Sequence, residues 1–156
     1  MSDLTVTTRW ELTNSQHHPK TTIPCFGFGV YNLAHDSSII TALNLGYRQL
    51  DTAQMYGNEA SVGHAVATCG IPRSELFIVT KIEHPKNGLK QTLDSCRESV
   101  LKSTGSKKGK WEGGEGYVDL FLIHTPTCGP LGRRILWEAL EMLRLEGGTR
   151  EIGVSN

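Results

Sequence analysis

The stretch LFIVT at residues 76–80 decides the fold class of this chain. It is a short apolar run rich in β-branched residues, and Lys81 follows it directly. Such a run is typical of a strand that is buried on both faces, as in a parallel sheet covered by helices. We therefore expect a parallel sheet in which this strand ends at an ionisable residue.

Helical patterns lie on both sides of this strand, and further strands follow them. The periodicity predicts helices over 36–45, 58–69, 89–101 and 131–145, and strands over 23–30, 47–51, 117–123 and from 152. Alternation of this kind implies a parallel sheet with covering helices, either an open doubly wound sheet or a (β/α)-barrel. Residues 8–12 and 21–22 are compatible with a small N-terminal β-hairpin, and the polar, glycine-rich residues 103–116 predict an inserted surface loop.

Composition places the chain among soluble globular proteins. Its 156 residues carry a formal net charge of zero, with 38% hydrophobic and 21% charged residues, and we expect one domain over 1–156. Neutral charge argues against a nucleic-acid binder. The N-terminus lacks signal-peptide features, and no apolar stretch approaches the ~20 residues of a membrane span, so a cytoplasmic protein is expected. The four cysteines are widely spaced, which favours reduced thiols over a zinc site or disulfides.

Polar side chains follow the predicted strands at the same relative position. Functional groups gather at the carboxyl ends of parallel strands in both candidate folds. Each residue taken singly has a structural explanation, such as a loop cap or a core histidine, but together they are expected to share one rim. The residues concerned are Asp51, Lys81, His124, Ser155 and Asn156, with Tyr56 in the loop after Asp51.

These residue types suit the reduction of a carbonyl group, in which a developing alkoxide must be protonated. A free tyrosine is a weak acid near neutral pH, and the ammonium of Lys81 would favour loss of the Tyr56 proton. Asp51 can hold the lysine in place, and His124 can hydrogen-bond the substrate oxygen. No side chain donates hydride, so a nicotinamide cofactor is implied. The stretch GFGVYN at 27–32 supplies only two glycines of a dinucleotide fingerprint, and no helix follows it directly, so a Rossmann domain is not predicted.

Four stretches together resemble the aldo-keto reductases. The run GYRQLDTAQMYGNE at 46–59, followed by Val62 and Gly63, resembles the signature of that family. Thr80-Lys81 resembles its lysine motif, DLFLIH at 119–124 its histidine strand, and IGVSN at 152–156 its cofactor-amide motif. The resemblance covers the chain from about residue 23 onward.

The resemblance implies a (β/α)8 TIM barrel, NADP(H) as cofactor, and hydride transfer to an aldehyde or ketone of a small molecule. Tyr56 would be the general acid, made a stronger acid by Lys81, and Asp51 would pair with Lys81 and touch the cofactor. His124 would orient the substrate carbonyl. Ser155 and Asn156 would hydrogen-bond the nicotinamide carboxamide, and Tyr31 would lie near the substrate mouth.

The chain departs from the family in length, since a full barrel takes about 250 residues. It supplies four predicted βα units and the start of a fifth strand, a partial (β/α)8 barrel. In the family, the residue that stacks on the nicotinamide and those that grip the 2′-phosphate come later. An alternative is therefore a non-catalytic truncated remnant or interaction subunit without a complete cofactor site. Strand edges left open predict self-association.

Overall fold

The fold is known from a computed structural model, which describes residues 4–13, 15, 20–33, 35–106 and 116–156. Short 3₁₀ turns at Gln54–Tyr56 and Arg73–Glu75 connect some of its elements. In chain order the elements are β1 (Arg9–Glu11), β2 (Thr22–Pro24), β3 (Gly27–Gly29), α1 (Asp36–Asn44), β4 (Gln49–Asp51), α2 (Glu59–Thr68), β5 (Phe77–Ile82), α3 (Leu89–Thr104), β6 (Val118–Ile123), α4 (Gly129–Leu145) and β7 (Thr149–Val154).

Five strands form one parallel sheet in chain order, β3-β4-β5-β6-β7. One helix lies between each pair of neighbouring strands along the chain. A doubly wound sheet would reverse its strand order at a switch point, and this sheet does not. The structure therefore confirms the predicted partial (β/α)8 barrel and excludes the open alternative.

The two faces of the sheet have different roles because successive side chains of a strand point to opposite sides. The face that packs against the helices carries buried apolar residues such as Leu50, Ile78 and Phe121, which join one hydrophobic core with the helices. The other face carries Asp51, Lys81 and their neighbours. The same alternation that builds the core therefore brings the ionisable residues to the inner side of the barrel.

The first predicted strand, 23–30, is wrong in one respect, because the chain bends at residues 25–26 and forms two strands. β2 pairs antiparallel with β1, with Trp10 opposite Ile23, whereas β3 pairs parallel with β4. This confirms the predicted hairpin. The physical reason for the break is that Cys25 N–H donates to the Thr8 carbonyl (2.8 Å), which keeps the first half of the run in the hairpin.

The predicted loop over 103–116 is also partly wrong, because α3 continues through Thr104. Ser103 is fully buried and Thr104 nearly so, which a surface loop would not allow. The helix stops at Gly105, whose φ of 68° is in the left-handed region that glycine tolerates. Residues 107–115 of this prediction lie outside the described residues.

The hairpin is hydrogen-bonded to β7, near the amino-terminal end of that strand. Thr21 Oγ1 donates to Glu151 Oε1 on β7 (2.7 Å), and Ser15 Oγ donates to the same oxygen. Glu151 lies near the amino-terminal end of β7, so the hairpin covers the end of the sheet opposite the ionisable residues.

Helices α2 and α3 approach each other closely. A Cβ atom at Gly63 would lie 1.9 Å from the Lys102 carbonyl oxygen, and one at Gly105 would lie 2.5 Å from the Gly63 carbonyl oxygen. Both distances are far below any van der Waals contact. The two backbones therefore touch here because neither residue has a side chain.

Within the described sheet, β3 and β7 are the outer strands, and each pairs on one side only. Exposed large apolar residues include Val154 on β7 and Leu45, which lines a surface pocket together with Phe28 of β3. Self-association through the edges stays a prediction. None of the described helices is long and apolar enough to cross a membrane.

Candidate active site

The predicted rim exists, because four of the five parallel strands, β4 to β7, have a polar residue at the carboxyl end. Asp51 is the last residue of β4, Lys81 is next to last in β5, and His124 follows β6 directly. Ser155 and Asn156 follow β7 directly. The structure therefore brings the predicted residues to one end of the sheet.

Lys81 is fixed at this rim by hydrogen bonds from its amine. Its Nζ donates to Asp51 Oδ1 (2.5 Å) and to the Thr52 carbonyl (2.9 Å), and it lies 3.5 Å from the Tyr56 hydroxyl oxygen. The lysine is only 6% exposed. A buried ammonium is costly unless it is paired and hydrogen-bonded. Asp51 and the Thr52 carbonyl meet this requirement, and they fix the amine beside the phenol.

Tyr56 lies at the end of the 3₁₀ turn, and Gly57 reverses the chain after it with a φ of 68°. Its half-buried ring contacts the Tyr31 ring at a centroid distance of 5.0 Å. It also meets the His124 ring edge to face, with centroids 5.7 Å apart. Two aromatic rings thus contact the phenol, and Tyr31, which is 59% exposed, forms the outer side of the group.

His124 is a neutral imidazole at neutral pH. Burial of the ring lowers its pKa from the ordinary value, and the positive charge of Lys81 lowers this pKa further. Glu83 and Asp51 oppose the shift less strongly. Its Nδ1 is buried and has no hydrogen-bond partner among the described residues. A neutral imidazole offers one donor and one acceptor, so the ring can bind a polar ligand atom.

Asn156 connects the end of β7 to the histidine segment. Its Nδ2 donates to the His124 carbonyl (2.9 Å) and to Ser155 Oγ (3.1 Å). Its φ of 59° is in the left-handed region, which asparagine tolerates better than most residues. These bonds use the amide nitrogen, and among the described residues none donates to the amide oxygen.

Sequence reasoning missed two buried polar residues behind the rim, Asn58 and Glu59. Glu59 accepts hydrogen bonds from Thr80 Oγ1 (2.5 Å) on β5 and from Ser99 Oγ (3.2 Å) on α3. Burial raises the pKa of Glu59, while the hydroxyl groups and Lys102 lower it less strongly. Both residues follow Tyr56 and begin a helix, which in the sequence indicates only ordinary capping. No sequence signal points to their distant partners.

We predict that the free energy of unfolding of Glu59→Gln, compared with that of the native chain, becomes more favourable to the variant as pH rises. The folded pKa of Glu59 is raised above its ordinary value of 4.5, so folding favours the protonated carboxyl. Its stabilising contribution is complete below the unfolded pKa and is lost as pH rises through the folded pKa. Glutamine cannot ionise, and the serine and threonine hydroxyls can rotate to match its amide.

Urea unfolding of both proteins between pH 4 and pH 8 measures this difference. The free energy of unfolding of the variant minus that of the native chain should grow with pH. Glu138→Gln, on the exposed side of α4, is the matched control and should show no such trend. A difference for Glu59→Gln that shrinks with pH contradicts the prediction.

Comparison with known proteins independently supports the resemblance to the aldo-keto reductases. The model of the aldo/keto reductase family matches residues 34–156. Methylglyoxal reductase DkgB of Salmonella typhi is 43% identical over 139 residues, which cover 86% of this chain and 48% of that protein. Aldo-keto reductase Rv2971 of Mycobacterium tuberculosis is 40% identical over 147 residues, covering 92% of this chain and 47% of that protein.

Solved structures agree with this result. An aldo/keto reductase from Brucella melitensis superimposes with a TM-score of 0.79 at 36% identity, covering 96% of this chain and 54% of that one. A Bombyx mori aldo-keto reductase in complex with NADP gives a TM-score of 0.74 at 28% identity, covering 94% and 50%. The chain spans about half the length of the relatives that it matches. The family match, the strand order and the polar rim all agree: the chain belongs to the aldo/keto reductase family.

Proposed function

We propose that this chain carries the proton-donating residues of an NADP(H)-dependent carbonyl reductase, which reduces an aldehyde or ketone of a small molecule to an alcohol. The observation that supports this most is the position of the Lys81 ammonium. It is bonded to Asp51 and lies 3.5 Å from the Tyr56 hydroxyl oxygen, and the His124 ring packs against the same tyrosine.

Tyr56 is the proton donor in this proposal. Its hydroxyl proton passes to the carbonyl oxygen of the substrate, and the electron pair of the O–H bond stays on the phenol oxygen. The ammonium of Lys81 stabilises the negative charge that develops there, which is the electrostatic help that a general acid needs. Asp51 holds the lysine in place through their ion pair, so it acts through Lys81.

His124 orients the substrate. Its pKa is lowered by burial and by Lys81, so it is neutral and can hydrogen-bond a carbonyl oxygen without competing as an acid. Its ring contacts the Tyr56 ring, so an oxygen bound to the imidazole is close to the phenol. This arrangement holds the reacting oxygen before proton transfer, which is the usual source of large rate gains.

The residues present suit a nicotinamide. Among the described residues, Nδ1 of His124 is buried without a hydrogen-bond partner and the amide oxygen of Asn156 accepts no hydrogen bond, and both side chains lie at the same rim as the partly exposed Ser155. Ser155 and Asn156 would bind the carboxamide group, and Asp51 would lie beside the ring. A reduced nicotinamide supplies the hydride that the carbonyl carbon needs, which no side chain can provide.

The test is a titration of the chain with NADPH, followed by nicotinamide fluorescence, and then a turnover assay with methylglyoxal, the substrate in the name of the relative from Salmonella typhi. Loss of the Ser155 hydroxyl in Ser155→Ala should raise the Kd for NADPH by about two- to tenfold, the usual value of one hydrogen bond. Ser38→Ala, at an exposed position of α1, is the control and should leave the Kd unchanged. No binding at millimolar NADPH would favour the non-catalytic alternative.

A further inference from the structure

Asn58 is a buried residue that the reaction described above does not use. It is 7% exposed and immediately precedes α2, the position at which asparagine usually caps a helix. Its side chain makes no capping bond, although its backbone carbonyl accepts from the N–H groups of Ser61 and Val62. The side chain therefore has another purpose than starting the helix.

Three hydrogen bonds account for the whole amide group. Nδ2 donates to the Val30 carbonyl (2.7 Å) and to the Leu33 carbonyl (3.2 Å), and Oδ1 accepts from Thr52 Oγ1 (2.8 Å). Carbonyl oxygens can only accept, so they fix which end of the amide faces them. One acceptor and two donors are needed here, and an aspartate of the same size could not supply the donors.

These bonds join two loops that carry the aromatic residues of the site. The Val30 and Leu33 carbonyls enclose the turn that presents Tyr31, and Asn58 itself follows Tyr56 by two residues. The two tyrosine rings are in contact at 5.0 Å. On the other side, Thr52 offers its carbonyl to Lys81. The same amide is thus bonded to the Tyr31 turn and to the residue that receives the catalytic lysine.

We propose that Asn58 is a positioning residue that holds the turn at residues 30–33, which carries Tyr31, against the segment 54–57, which carries Tyr56. In this way it sets the distance between the two tyrosine rings at the entrance to the proposed substrate site. The inference rests on the proposed carbonyl reductase function for its kinetic consequence. Its structural consequence does not depend on that function. A backbone bond from Val30 N–H to the Asp51 carbonyl (3.0 Å) keeps β3 in the sheet, so the turn beyond Val30 is the part that Asn58 controls.

Hydrogen exchange measured by mass spectrometry tests the structural step. Asn58→Asp should increase amide exchange about tenfold in segments 30–33 and 54–57, because a carboxylate would face two carbonyl oxygens. Exchange in β6 should stay unchanged. Asn44→Asp, exposed on α1, adds the same charge and should change neither segment. Unchanged exchange in both segments, or an equal rise over the whole chain, overturns the proposal.

Thr52→Val provides a second route if Asn58→Asp does not fold. Valine has nearly the shape of threonine, and the fully buried Thr52 would lose only the hydroxyl that donates to Asn58. The same two segments should exchange faster, by less than in Asn58→Asp. An unchanged pattern in Thr52→Val counts against the proposal.

Kinetics test the functional step. Asn58→Asp should lower kcat/KM for the carbonyl substrate by about 100-fold, the loss that a misplacement of about 1 Å can cause. Tyr31→Ala and the double variant complete a cycle, and the double variant should lose no more than the larger single loss. Additive losses overturn the idea that Asn58 acts through the Tyr31 turn. If the native chain has no turnover, the proposed function fails, and hydrogen exchange alone then decides the role of Asn58.

Discussion

Replacing Tyr56 by phenylalanine is expected to lower kcat for the proposed carbonyl reduction by about 10²–10⁴-fold, the usual contribution of a general acid. The change removes one oxygen atom and leaves the ring contacts with Tyr31 and His124 in place. Lys81 keeps its bonds to Asp51 and Thr52, so the site retains its charge and its shape. Initial rates of NADPH oxidation at saturating carbonyl substrate measure the effect.

Tyr47→Phe is the matched control for this experiment. Tyr47 precedes β4, at the end of the sheet opposite the rim, and its ring packs on Phe28 at 5.6 Å. It should keep the native kcat. The Kd for NADPH should change little in either variant, since neither hydroxyl is expected to contact the cofactor. Turnover by Tyr56→Phe within tenfold of the native rate would assign the proton to another donor.

Arg73→Ala should lower the free energy of unfolding by about 3–5 kcal/mol, the usual cost of breaking a buried ion pair. The Arg73 and Asp119 side chains are 7% and 3% exposed, and Nη2 of the arginine lies 2.6 Å from the carboxylate. The guanidinium also donates to the Tyr117 and Leu76 carbonyls. Its loss leaves a buried charge and two buried acceptors, and Arg150 at 3.7 Å compensates only partly.

Urea unfolding measures this loss against Arg134→Ala, an exposed position on α4 at which a change within about 0.5 kcal/mol is expected. The double variant Arg73→Met with Asp119→Leu removes both charges. It should recover part of the stability, because no unpaired charge remains, whereas the two carbonyl acceptors of Arg73 and the Ile78 N–H that donates to Asp119 lose their partners. A single-variant loss below about 1 kcal/mol would show that Asp119 is stabilised without Arg73.

The sheet and the rim could be predicted from sequence because both follow from local patterns. The run at 76–80 is apolar on both faces, and a strand with helices on one side and the barrel interior on the other requires such a run. The polar residue after each strand has a fixed position in a parallel sheet. Asp51, Lys81 and His124 could therefore be grouped before any distance was known.

The contacts behind the rim could not be predicted, since they depend on partners far away in the chain. Glu59 binds Ser99, 40 residues later, and Asn58 binds Val30, 28 residues earlier. The start of β7 was missed for a similar reason. Thr149 and Glu151 are polar in sequence, but both are buried, and Glu151 is stabilised by hydroxyl groups of the hairpin residues.

The glycine contact between α2 and α3 has a consequence for how far this protein can tolerate sequence change. α2 begins three residues after Tyr56, so an outward displacement of the helix would pull on the segment that carries the phenol. Even the smallest side chain at Gly63 would require such a displacement, because its Cβ would occupy the place of the Lys102 carbonyl. The close contact of two helices on the outside of the barrel is thus only a few residues along the chain from the Tyr56 hydroxyl that lies beside Lys81 on the inside.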